Sequence, residues 1–232
     1  MIFGLFRFDW TILLVIPAMI FALWAQFKVQ STYKKYASYP TRRGMTGAEA
    51  ARRILDANGL HHVRIEHIRG ELTDHFDPRE NVIRLSDAVH DSKSAAAIGV
   101  ASHEAGHAVQ HAKGYAPIKL RAAIVPVTRF GSMLAIPLFF IGLLMASDYL
   151  MLGGIVLYAL IAFFQLVTLP VEFNASSRAM KAIRASGMLT DEECAASREV
   201  LTAAALTYVA ALVTSLMTLL RLIILANGRR RD

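Results

Sequence analysis

The 232-residue sequence predicts a mostly α membrane protein with a small α+β domain, and three observations carry that prediction. Four uncharged apolar runs approach the ~20 residues that a helix needs to cross the hydrocarbon core of a bilayer. A polar segment between the first and second runs changes from helical to alternating pattern. The composition is 55% hydrophobic with a mean hydropathy of +0.41, above the roughly 45–50% apolar content of soluble domains.

The first run, residues 10–27, lies between Asp9 and Lys28. Trp24, Gln26, Phe27 and Lys28 stand where a secretory signal would need small residues, so the run reads as an uncleaved anchor. The second run, 130–147, ends at Asp148; the third, 149–171, ends at Glu172. Only Asp148 and its neighbours separate them, which predicts a tight helical hairpin. The fourth run, 200–220, lies between Glu199 and Arg221. Its many Ala and Thr residues leave a re-entrant or protein-buried helix as the alternative to a full crossing.

The polar segment holds the remaining elements. Residues 47–57 read as a short helix with Thr46 as N-cap and Glu49 completing a capping box; Gly59 ends it. Residues 63–66 alternate like a strand. Residues 71–75, the turn 77–80 and residues 81–85 read as strand, turn and strand. Asp91 or Ser92 can cap a helix running to about Ala112, with Gly114 as its stop.

The formal net charge is +7, and many of the basic residues (Lys28, Lys34, Lys35, Arg121, Arg129) flank apolar runs. That placement fits membrane orientation better than nucleic-acid binding, for which no motif is present. Five Lys/Arg residues in 28–43, against Arg7 before the first run, put the polar segment on the cytoplasmic side, with the Asp148 hairpin outside. Arg229, Arg230 and Arg231 oppose this bias if the fourth run crosses. The single cysteine, Cys194, excludes an internal disulfide and reads as a buried filler.

The chemistry concentrates in His103-Glu104-Ala105-Gly106-His107. Positions i and i+4 share a helix face, so two imidazoles so spaced can grip one metal ion. A Glu directly after the first His can serve as general base toward water activated by that metal. Zinc suits this donor set, and a catalytic zinc needs a third protein ligand and an open position. His111 continues the spacing but lies a further ~6 Å along the helix; it reads as supporting. Lys113 occupies the position where a longer motif would place a third His. Glu172 is the better candidate, since it follows an apolar run and has Ser176 one turn later on its face. Glu192 and Glu193 are weaker rivals in what looks like an ordinary acidic helix start. His75, Tyr115, Arg178 and Tyr208 are each candidates to stabilise an oxyanion, and the sequence does not choose among them. No cofactor site beyond the metal is assigned.

Several dispersed stretches resemble one family. They are Asp74-His75-Phe76-Asp77-Pro78-Arg79, Val82-Ile83-Arg84-Leu85-Ser86, the motif helix, Gly114-Tyr115-Ala116-Pro117, residues 169–176 and residues 203–210. Their order resembles the YugP-like family of bacterial membrane zinc metallopeptidases, itself similar to the HtpX-like gluzincins. The resemblance implies a gluzincin-like catalytic domain built around the HExxH helix. It implies one catalytic Zn2+ held by His103, His107 and Glu172, with Glu104 as base. Where the HtpX-like pattern has an Asp one turn after the ligand Glu, Ser176 stands here. In proteases of this class a substrate backbone pairs with an edge strand, which gives 81–85 that expected role.

The expected division is an anchor (1–30), a cytosolic α+β part (31–128), a transmembrane hairpin (129–171), a helix with the third ligand (172–199) and a fourth apolar helix with a basic tail (200–232). The expected function is a zinc endopeptidase of the bacterial inner membrane, with its site toward the cytoplasm. Its partners would be the lipid bilayer and a polypeptide substrate, a membrane protein among the candidates. The alternatives are a zinc-stabilised scaffold without catalysis and a latent protease that needs a partner.

Overall fold

The structure is a computed structural model and describes residues 10–229. Arg7, Arg230 and Arg231, which enter the charge argument, lie outside the described residues. In chain order the elements are α1 (Ile12–Ala37), α2 (Gly47–Ala57), β1 (Arg64–Ile68), β2 (His75–Asp77), β3 (Val82–Ser86), α3 (Ala95–Ala112), α4 (Ala116–Leu144), α5 (Asp148–Ala185) and α6 (Asp191–Arg229). Four of them, α1, α4, α5 and α6, are long and apolar enough to cross a membrane.

The chain forms two compact units, and the four long helices contribute residues to each. One unit comprises Ala25–Ala122 and Val167–Thr207. Its core gathers Ile54, Leu55, Ile83, Leu85, Ile98, Ile183 and Met188, with Cys194 buried among them. The capping box at the start of α2 forms as expected: Glu49 N donates to Thr46 Oγ1, and Thr46 N donates to Glu49 Oε2. The sheet has the order β1-β3-β2, with β1 parallel and β2 antiparallel to β3.

Two strand expectations change. The strand expected over 71–75 begins only at His75, and Leu72 and Gly70 take positive φ ahead of it. The Asp74 carboxylate, not a strand backbone, meets β3 there: it accepts from Ser86 N at 2.7 Å and from Ser86 Oγ at 3.0 Å. β3 is central, hydrogen-bonded on both sides, so it has no free edge to offer a substrate. The cap of α3 also moves, from Asp91 or Ser92 to Ser94, whose Oγ accepts from Ala97 N. The carbonyls of Ser92 and Lys93 are taken by Gly47 N and Thr41 N, which holds the chain extended until Ser94.

α3 is buried along most of its length. Gly106 allows it to lie against α5, because a Cβ there would meet the Ala175 carbonyl oxygen at 2.7 Å. Glu172 does not begin a helix, as the sequence suggested; α5 runs without interruption through Pro170 and Glu172.

The other unit comprises the described residues up to Trp24, together with Ala123–Leu166 and the chain from Tyr208 onward. Its buried cluster is Phe139, Met151 and Leu222. The expected hairpin forms: Ala146 turns at positive φ, and Ser147 N donates to the Gly142 carbonyl. α4 and α5 touch closely at Gly154, where a Cβ would stand 2.7 Å from both N and Cβ of Phe139. Leu23, Phe130, Met133 and Leu144 point outward and exposed. An apolar outer surface of this kind is stable when its surroundings are lipid.

Candidate metal centre

The site lies within the first unit, where α3 meets the Val167–Ala185 part of α5. His103 and His107 stack one turn apart on α3, their ring centroids 4.6 Å apart and nearly perpendicular. Both Nε2 atoms are directed at one atom. Glu172 Oε2 lies 3.1 Å from His103 Nε2 and 3.5 Å from His107 Nε2. Glu172 is only 2% exposed. The three candidate ligand atoms all lie within 4.8 Å of one another.

Each of the three side chains is oriented from behind. His103 Nδ1 lies 3.1 Å from Ser176 Oγ, one turn after Glu172. His107 Nδ1 lies 3.0 Å from Gln110 Oε1. Arg121 Nη1 donates to Glu172 Oε1 at 2.8 Å, which holds that oxygen away from the imidazoles. Burial works against the charged form of His107, but the hydrogen bond to Glu172 and the charges of Glu104 and Glu172 outweigh it and raise its pKa.

The donors fit a divalent cation. Gln110 Nε2 donates to the Val171 carbonyl at 2.8 Å, and that partner can only accept. The amide orientation therefore follows, and Oε1 must face His107. His107 Nδ1 is then the donor, so a neutral His107 turns its Nε2 lone pair toward a carboxylate oxygen. Two lone pairs in that relation repel unless a proton or a metal cation sits between them, so the geometry that favours the protonated imidazole also suits a divalent ion. Two imidazole nitrogens and one carboxylate oxygen are the donor set of a catalytic zinc with an open fourth position.

Glu104 is buried on the same helix and makes no hydrogen bond or ion pair among the described residues. The other sequence candidates make contacts of their own. His111 packs its ring edge on Phe76, with centroids 6.0 Å apart. Glu193 closes a capping box at the start of α6 and also accepts from Arg42 N. Among the oxyanion candidates, His75 is exposed and bound to the Thr73 carbonyl, and Arg178 donates to Asn174. Tyr115 approaches the Pro170 carbonyl at 3.5 Å, and Tyr208 belongs to the other unit. Arg121 and Gln110 were missed as site residues. Arg121 reads in sequence as a charge flanking an apolar run. Gln110 carried a signal, being a hydrogen-bonding residue three positions after His107 on the same helix.

His103, His107 and Glu172 thus form a group on two helices that could hold a metal ion, in a chain with four helices long and apolar enough to cross a membrane. The chain belongs to the family described as "putative neutral zinc metallopeptidase", whose model matches residues 11–227. It is 51% identical over 219 residues to the "putative membrane protease YugP" of Bacillus subtilis (strain 168), covering 94% of this chain and 97% of that relative. No solved structure matches.

Proposed function

We propose that the chain is a membrane-embedded zinc endopeptidase of gluzincin type, with one catalytic ion held by His103, His107 and Glu172. The observation that carries the reading is the convergence of both Nε2 atoms on Glu172 Oε2, with Glu104 left unbonded beside them. Zinc held by His103, His107 and Glu172 would supply Lewis acidity toward water and a peptide carbonyl. Glu104 takes the proton of the attacking water and returns it to the leaving amine. Arg121 keeps Glu172 turned so that a single oxygen faces the two histidines. Ser176 and Gln110 steady the rings from their Nδ1 sides.

The charge bias of the sequence orients the site toward the cytoplasm. Glu172 follows the third apolar run directly, which favours polypeptides at or emerging from the bilayer as substrates. Zinc content and cleavage of casein and of a detergent-solubilised membrane protein test the reading. Glu104→Gln is expected to keep zinc and lose roughly 10²- to 10⁴-fold in rate. Glu172→Ala is expected to lose most of both. Unchanged cleavage in Glu104→Gln ends the catalytic proposal and leaves the zinc-stabilised scaffold.

A further inference from the structure

Behind the metal centre runs a chain of hydrogen bonds with every direction determined. Arg178 Nε can only donate, and it donates to Asn174 Oδ1 at 2.7 Å. The same oxygen accepts from Gln110 Nε2 at 3.0 Å, and the Val171 carbonyl accepts from that nitrogen as well. Both amide donors of Gln110 are thus committed to acceptors on α5. Its Oε1 is left for His107 Nδ1 at 3.0 Å. Gln110 is fully buried, so no water can take over any of these bonds. A polar side chain is costly in such a place unless all its groups are paired, and here they are.

We propose that Gln110 is a positioning residue that fixes His107 as an Nε2 ligand, with its own amide oriented by Val171 and held through Asn174 by Arg178. The consequence is directional. Free imidazole can present either nitrogen, and only Nε2 of His107 reaches Glu172 Oε2. An acceptor fixed at Nδ1 removes the wrong tautomer and the wrong ring rotation before the ion arrives. It also makes Nε2 a better donor. His103 has no equivalent control, because the Ser176 hydroxyl can either donate or accept. The two histidines therefore differ: His107 is held in one state and His103 is adaptable.

This inference rests on the zinc reading above, and the test separates the two. Zinc affinity is measured on full-length protein in detergent by competition with a chromophoric chelator, and cobalt(II) absorption reports the ligand geometry. Gln110→Met is expected to weaken zinc binding roughly 10- to 100-fold and to alter the cobalt spectrum. Asn174→Asp keeps an acceptor for both Gln110 and Arg178 and is expected to weaken zinc binding least of the three. Asn174→Leu removes that acceptor and is expected to fall between Asn174→Asp and Gln110→Met. Wild-type affinity and cobalt spectrum in Gln110→Met, even with a lowered melting temperature, would overturn the proposal. Should Gln110→Met fail to fold, the Asn174 pair decides, and equal zinc affinity in Asn174→Asp and Asn174→Leu would overturn it. Zinc binding that survives both His103→Ala and Glu172→Ala would remove the site itself.

Discussion

Both units of this chain bury apolar side chains, but among the described residues only one of them also buries ionisable groups. The unit with the metal centre hides Glu104, His107, Gln110, Glu172, Ser86, Ser94 and Ser197. Most of them are tied down by directed bonds, such as Ser197 Oγ to the Ala95 carbonyl at 2.6 Å. The other unit hides Phe139, Met151 and Leu222 and turns Phe130, Met133 and Leu144 outward. The difference teaches where each unit finds its stability. In lipid there is no hydrophobic gain from hiding another Leu, so helices associate through close packing of small residues. In the site-bearing unit an apolar core surrounds a polar cluster, and geometry there is set by hydrogen-bond direction.

Substitutions can break or sharpen that contrast. The largest effect is expected at Arg121. Arg121→Leu leaves Glu172 Oε1 buried without its cation, and chelator competition should show zinc affinity reduced roughly 10- to 100-fold. Next comes a matched pair of glycines. Gly106→Ala drives a Cβ into the Ala175 carbonyl and Gly154→Ala drives one into Phe139. Each should cost about 1–3 kcal/mol in thermal or denaturant unfolding. Only Gly106→Ala should also weaken zinc binding, since only it displaces the helix of His103 and His107. Equal zinc loss in both would erase the distinction between the units.

Smaller effects are expected away from these contacts. Thr46→Ala removes the cap of α2 and should lower stability by about 1 kcal/mol with zinc affinity intact. Met133→Ala, on the exposed apolar face, should change stability by no more than about 0.5 kcal/mol.

What the sequence reveals follows from the range of the interactions involved. The four long helices are legible because bilayer thickness imposes a length. The capping box at Thr46 is legible because its two bonds span three residues. The pairing of His103 with His107 is legible from the helical repeat. Arg121 is not, because its partner is 51 residues away and only folding makes the bond. Gln110 is hidden for the same reason, since Val171 and Asn174 lie 61 and 64 residues along the chain. The strand at 71–75 was misread because alternation describes side chains, whereas Gly70 and Leu72 turn the backbone and Asp74 replaces a ladder bond with its carboxylate. The cap of α3 was displaced by a backbone contact from Thr41, which lies 52 residues before Lys93.

The central claim is that two imidazoles and one distant carboxylate hold a single zinc. X-ray absorption at the zinc edge of metal-loaded protein tests it most directly. The account predicts two imidazole nitrogens at about 2.0–2.1 Å, with oxygen completing the shell and no sulfur. It also predicts loss of one oxygen scatterer or of the ion in Glu172→Ala. A shell with three imidazoles, or one unchanged by Glu172→Ala, would contradict it.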